Sequence, residues 1–278
     1  MKNITAYFEI IRPVNLFITF VTVLLAAIIC SEDNFNRTIV LLAAMSAALS
    51  AASGNVINDY FDAAIDKINR PQRPIPSGKI PIRVASFYYL LLVAISLISA
   101  AFINIFAFVI VLFADNLLFI YSYKLKRIPI AGNAAVSFLT ALAFIYGGFV
   151  VGNINSAFIP AIFAFLVNFI RELVKDIEDM NGDSMNGIIT FPSKYGIKST
   201  KHLITLITLI LILFTVYPYF SEIYTIEFLL IVLLTVNLML IYVLKKIYEN
   251  DSQDNLKQAS SMLKASMVFG LIAIYFGK

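Results

Sequence analysis

Long apolar runs separated by short polar segments fill this chain from one end to the other. Nine of the runs approach or reach the roughly 17 to 25 residues with which a helix crosses the hydrocarbon of a bilayer. They cover about 11 to 30, 38 to 57, 84 to 103, 105 to 121, 132 to 151, 156 to 173, 201 to 220, 226 to 247 and 262 to 277. The pattern predicts an all-α integral membrane protein with nine transmembrane helices. The joins near 103 and 155 are short, so the helices flanking each are expected as tight antiparallel hairpins.

The polar segments carry an independent pattern. With the N-terminus in the cytoplasm, nine helices place nineteen of the 21 lysines and arginines inside and leave only Arg37 and Lys278 outside. Such asymmetry is what the positive-inside rule expects of a multi-pass protein of the cell membrane. Composition agrees: 60% of residues are hydrophobic, 14% are charged and the mean hydropathy is +0.86. The net charge of +4 follows from the basic inner face and calls for no nucleic-acid partner. The first apolar run lacks a small-residue cleavage site and reads as a retained anchor. Cys30 and His202 are each single, which excludes a disulfide framework and a thiolate metal site.

The second run is crowded with small residues, from Ala43 and Ala44 through Ser50, Ala51, Ala52, Ser53 and Gly54, and should be a central helix that its neighbours approach closely. At its inner end stand Asp59, Asp62 and Asp66; at the inner end of the sixth run stand Asp176, Asp179 and Asp183. The two triplets are 117 residues apart, and Asn69 and Asn186 keep the same interval. The shared pattern Asp-x-x-Asp-x-x-x-Asp-x-x-Asn predicts one domain, 1 to 278, made of two related helix bundles.

Steps of three and four residues turn each triplet's carboxylates towards one side of a helix. Isolated acids at helix ends are commonly just solvated. Two matched sets near a membrane, where a charge at the centre of a helix costs about 2.5 to 3.5 kcal/mol, point instead to a site. Hard oxygen donors without His or Cys select Mg²⁺, which in such sites bridges carboxylates to substrate phosphates. Lys67, Arg70, Arg73 and Lys175 lie among the acids and can neutralise further phosphate charge. Pro71, Pro74 and Pro76 stiffen the loop after the first triplet. Asp115 and Asn116 sit inside the fourth run, where an ionisable residue is a candidate for function or for an interhelical hydrogen bond. Glu172, one turn before Asp176, is a candidate site residue. A cation transporter is the alternative from another class, but its acids belong near the bilayer midplane.

Asn58-Asp59-x-x-Asp62-x-x-x-Asp66 closing a small-residue helix, Arg70-Pro71-x-Arg73-Pro74-Ile75-Pro76-Ser77-Gly78 after it, and the second aspartate motif resemble the UbiA-type intramembrane prenyltransferases. Arg12-Pro13-Val14-Asn15 and Tyr121-Ser122-x-x-Leu125-Lys126-Arg127 extend the resemblance over the chain. It implies a nine-helix bundle around a central cavity, in which Mg²⁺ holds a polyprenyl diphosphate on the cytoplasmic side. Asn58, Asp62 and Asp66 would form the first metal-diphosphate site and Asp176, Asp179 and Asp183 the second. Arg12, Lys126 and Arg127 would contact the diphosphate, Asn15 would belong to the substrate-binding set, and Tyr121 to the catalytic set. Leu125 stands where the family often has a lysine, so Lys126 and Arg127 are both candidates for that role.

The run Arg171-Glu172-Leu173-Val174-Lys175-Asp176-Ile177-Glu178-Asp179 resembles the archaeal ether-lipid branch of the family. This implies transfer of a geranylgeranyl group from geranylgeranyl diphosphate to the glycerol hydroxyl of geranylgeranylglyceryl phosphate, a lipid acceptor. Lys175, Arg70 and Arg73 are candidates for the acceptor's phosphate. An aromatic acid of the 4-hydroxybenzoate type is the alternative acceptor.

Overall fold

The computed structural model describes residues 4–31, 35–185 and 188–278, with side chains at all of these except Asn69 and 181–185. Every regular element among the described residues is helical. In chain order these are α1 (Ile4–Ile11), α2 (Pro13–Cys30), α3 (Arg37–Asn69), α4 (Ile82–Ala101), α5 (Ile105–Tyr123), α6 (Ala131–Val150), α7 (Phe158–Met185), α8 (Phe191–Tyr195), α9 (Ile197–Phe220), α10 (Ile226–Ile231), α11 (Asn237–Glu249) and α12 (Gln253–Gly277). A π-helical turn, Val232–Val236, joins α10 to α11 in one continuous rod. Nine described helical segments are long and apolar enough to cross a membrane, matching the nine apolar runs.

The helices outrun the apolar stretches at several ends. α3 has 33 residues and α7 has 28, each continuing about a dozen residues past its hydrophobic run. Lipid-compatible composition stops there, yet Asp, Ala, Lys and Ile do not break a helix, and the backbone ladder continues. α3 ends where Arg70 precedes Pro71, a position disfavoured in helical conformation. Both aspartate motifs therefore ride on helix. α12 likewise starts early, at Gln253, where the Ser252 hydroxyl accepts from the Asn255 amide.

The chain divides into two compact units, Met1–Lys126 with Leu142–Ala157, and Arg127–Ala141 with Phe158–Lys278. In the first, α3 packs against α2, α4 and α5. Its small residues let them close in: Ala43, Ala44, Ser46, Ala52 and Ser53 are fully buried. Ser46 is hydrogen-bonded to the Tyr146 hydroxyl at 3.0 Å, and the Ser96 hydroxyl donates to the Ser46 carbonyl at 3.0 Å. At Gly147 a Cβ would stand 2.5 Å from the Ala26 Cβ and 2.8 Å from the Val23 carbonyl oxygen, so only glycine allows that approach. In the second unit α7 packs against α9 and α12, around fully buried Ile170, Leu173, Leu211, Phe228 and Leu263.

Candidate active site

The first aspartate motif sits on a helix whose buried stripe runs through it. Ala52, Val56, Asp59, Ala63 and Asp66 recur at helical spacing and are all buried, while Asp62 lies on the half-buried flank. Two carboxylates inside the stripe need cations, and two arginines supply them. Arg12 donates from Nη2 to Asp59 at 2.6 Å. Arg73 donates from Nη1 to Asp66 at 2.5 Å and to Asp59 at 3.4 Å, bridging the pair.

Both arginines are delivered by short irregular segments. Arg12 breaks the chain between α1 and α2 in the left-handed region, φ 53°, with Pro13 opening α2. Asn55 of α3 donates to the Ile11 carbonyl at 2.8 Å and fixes the end of α1 beside the motif. Arg73 belongs to the loop after α3, which folds back on itself. The Ile80 amide donates to the Pro74 carbonyl and the Gly78 amide, at φ 74°, to the Ile75 carbonyl. Ile75 and Ile80 are buried in an apolar cluster with Ala6, Ile10, Ala63 and Ala85.

Asp62 has different partners. Lys126, in the 3₁₀ turn Leu125–Arg127 after α5, donates to Asp62 Oδ1, and Asn58 Nδ2 donates to Oδ2 at 3.0 Å. Lys126 also donates to Asn58 Oδ1 at 3.3 Å, closing a triangle. Of the two cations that follow Leu125, Lys126 is the one in this network, whereas Arg127 is exposed. Lys67, Arg70 and Asn15 are exposed and stand outside it, and Tyr121 is half-buried on α5.

Deeper along α3, the buried Asp115 of α5 accepts from Ser50 at 2.6 Å and Ser53 at 3.3 Å. This is the interhelical bond that its position in an apolar run allowed. Asn116 is exposed and donates to its own helix at the Leu112 carbonyl.

In the second unit, α7 buries Ile170, Leu173, Val174 and Ile177, which leaves its charged residues on the remaining faces. Asn133 of α6 donates from Nδ2 to Asp176 at 2.9 Å. Asn133 is itself buried, and its carbonyl accepts from Ser137, whose hydroxyl takes a bond from Asn168 at 3.4 Å. Sequence reasoning missed Asn133; an asparagine two residues into an apolar helix was the available signal. Asp179 is exposed. Asp183 lies in the last turns of α7 with its side chain outside the described residues, and Asn186 also falls outside them. Glu172 accepts from Arg171 at 2.8 Å and from Lys175 at 3.2 Å.

Among the described residues no group of three or more Asp, Glu, His or Cys side chains converges to hold a metal. Asp59 and Asp66 each accept from arginine and Asp62 accepts from Lys126, so every carboxylate of the first triplet has a cation partner. The Asn58 amide and the Asp62 carboxylate lie together on one flank, bonded to each other. That donor set suits Mg²⁺, which keeps several waters and is usually held by one or two carboxylates together with substrate phosphates.

A family model described as the UbiA prenyltransferase family matches residues 19–268. A digeranylgeranylglyceryl phosphate synthase from Methanosphaera stadtmanae is 35% identical over 98% of this chain and 98% of its own. The solved structure of a digeranylgeranylglyceryl phosphate synthase superimposes with a TM-score of 0.85 at 31% identity, covering 100% of this chain and 99% of that one. A UbiA homologue from Archaeoglobus fulgidus, solved with DMAPP and Mg²⁺, shares the fold at a TM-score of 0.70 and 20% identity, over 97% of this chain and 99% of its own. With nine apolar helices among its described residues, a cation-bound aspartate motif and a match that spans nearly its whole length, this chain belongs to the UbiA prenyltransferase family and is a multi-pass membrane protein.

Proposed function

We propose that the chain transfers a geranylgeranyl group from geranylgeranyl diphosphate to the free glycerol hydroxyl of geranylgeranylglyceryl phosphate. The observation that carries this reading is the likeness to digeranylgeranylglyceryl phosphate synthases along the full chain. In the reaction the allylic carbon–oxygen bond to diphosphate breaks, the hydroxyl oxygen bonds to that carbon and the hydroxyl proton is lost.

Lys126, Arg73 and Arg12 are the groups proposed to donate to the departing diphosphate, whose charge rises as the bond breaks. Asn58, Asp62 and Asp66 on α3, and Asp176, Asp179 and Asp183 on α7, are the proposed metal ligands. Bound Mg²⁺ supplies Lewis-acid neutralisation of phosphate charge; the A. fulgidus homologue carrying Mg²⁺ and DMAPP supports a divalent cofactor. Asn133 orients Asp176 from behind, and the apolar helices exclude water from the reactive carbon. The basic-residue asymmetry supports an N-terminus and a site on the cytoplasmic side. The chain is taken to work as a single prenyltransferase domain.

The test is to supply the purified protein with labelled geranylgeranyl diphosphate, Mg²⁺ and either geranylgeranylglyceryl phosphate or 4-hydroxybenzoate. Label is expected on the glycerol lipid. Label on the aromatic acid alone would replace the proposed acceptor with the alternative one.

A further inference from the structure

Two cations share one carboxylate on α7, and a third stands near them on α12, which packs against α7. Glu172 accepts from Arg171 and Lys175, and Lys264 of α12 lies within electrostatic reach of all three. The cluster is therefore two positive charges in excess. Among the described residues Arg171 Nε is buried with no hydrogen-bond partner, an orphaned guanidinium donor in a side chain only 18% exposed. Leaving such a donor unsatisfied is costly unless something else accepts from it.

Position along the helices narrows the missing acceptor. Arg171 falls two residues before the apolar run 156 to 173 ends, and Lys264 two residues after the run 262 to 277 begins. Both cations thus mark the level where lipid-compatible sequence gives way to polar sequence, which is where a lipid's phosphate resides. Lys175 and Lys264 keep solvent access, so an anion can reach the cluster.

Resting on the function proposed above, we infer that Arg171, Lys175 and Lys264 bind the phosphate monoester of the acceptor lipid, apart from the groups that hold the donor's diphosphate. A phosphate monoester carries about −1.5 to −2 charges at neutral pH, which balances the excess. In a glycerol with a prenyl ether at one end and phosphate at the other, the free hydroxyl is on the carbon next to the phosphate-bearing one. A phosphate held here, beside Asp176 on the same helix, keeps that hydroxyl close to the second aspartate motif. Arg171 supplies the fork and the lysines supply charge.

The test uses the full-length protein in neutral phosphatidylcholine nanodiscs with Mg²⁺ and geranylgeranyl diphosphate. The acceptors are geranylgeranylglyceryl phosphate and its dephosphorylated alcohol. Lys264→Gln, at an exposed position, and Arg171→Gln are each expected to lower the kcat/KM preference for the phosphorylated acceptor by roughly 10-fold or more, the worth of a charged hydrogen bond. Arg171→Lys should recover part of that preference, and the KM for the donor should move far less. Variants that lose both acceptors alike, or that raise the donor KM as much, would overturn the assignment. So would an effect that appears only in nanodiscs containing anionic lipid, which would give the cluster to the bilayer's own headgroups. Wild-type protein inert towards geranylgeranylglyceryl phosphate would instead defeat the parent reading and this one with it, whereas active wild type with unaltered variants defeats this one alone.

Discussion

Lys126 and Asp62, 64 residues apart in sequence, are joined by an ion pair that ties the turn after α5 to the first aspartate motif. The Lys126 side chain is only 9% exposed, so its charge is spent on the site and not on solvent. Lys126→Met should lower kcat about 100- to 1000-fold, the usual loss when one donor to a developing oxyanion is removed. Lys126→Arg keeps the charge and should lose less. Rates with labelled geranylgeranyl diphosphate decide it, and a normal rate in Lys126→Met would place the diphosphate elsewhere.

Asp59 and Asp62 should differ in how much turnover survives their removal. Asp59 is buried between Arg12 and Arg73. Asp59→Ala leaves Arg12 without its carboxylate while Arg73 keeps Asp66, at a cost of about 1 to 3 kcal/mol, and should retain part of the activity. Asp62→Ala deprives Lys126, whose side chain is little exposed, of its carboxylate, so it should abolish turnover and lower the melting temperature as well. Thermal unfolding in detergent, followed beside activity, checks the pair. Complete loss of turnover in both, or full activity in Asp62→Ala, would contradict the assignment.

Magnesium dependence should respond to Asn133. Chelation is expected to stop turnover and added Mg²⁺ to restore it. Asn133→Ala removes the amide that holds Asp176, and lost outer support of this kind typically weakens metal binding about 10- to 100-fold. The Mg²⁺ concentration for half-maximal rate should rise accordingly, with the rate recovering at high Mg²⁺. An unchanged requirement would mean that Asp176 is not a metal ligand.

Close packing of α6 on α2 should be visible in Gly147→Ala. The new methyl group would meet the Ala26 Cβ and the backbone at Val23, an overpacking worth about 1 to 3 kcal/mol. Gly270→Ala, where nothing lies within 4 Å, is the control and should be neutral or slightly stabilising. Melting temperatures of the two variants measure the difference.

The nine spans were legible because bilayer thickness imposes a length that composition alone reveals. Helix ends were not: α3 and α7 run on through Asp, Lys and Asn because backbone hydrogen bonding is indifferent to the hydropathy of exposed side chains. Proline was the better guide, marking the start of α2 at Pro13 and the stop of α3 before Pro71. The spacing of Asp59, Asp62 and Asp66 told which side of the helix they share. It could not tell that two of them fall in the buried stripe, since that depends on which neighbours close over α3. Pairing of Arg73 with Asp66 depends on a loop folding back, and the link from Asn133 to Asp176 on a tertiary contact, neither of which leaves a mark in local sequence. Lys264 was not singled out at all, because a lysine just inside an apolar run reads as a marker of the inner face until the packing of α12 on α7 sets it beside Arg171 and Lys175.

The segment that presents Arg73 is nailed down at Ile75 and Ile80, and its one positive-φ glycine, Gly78, lies between those two nails. Prolines at 71, 74 and 76 remove most of the remaining backbone freedom. A part fastened in this way is a wall and not a door. Whatever swings aside to admit an isoprenoid tail of about twenty carbons, far beyond one rotamer change, must be sought among elements other than this loop.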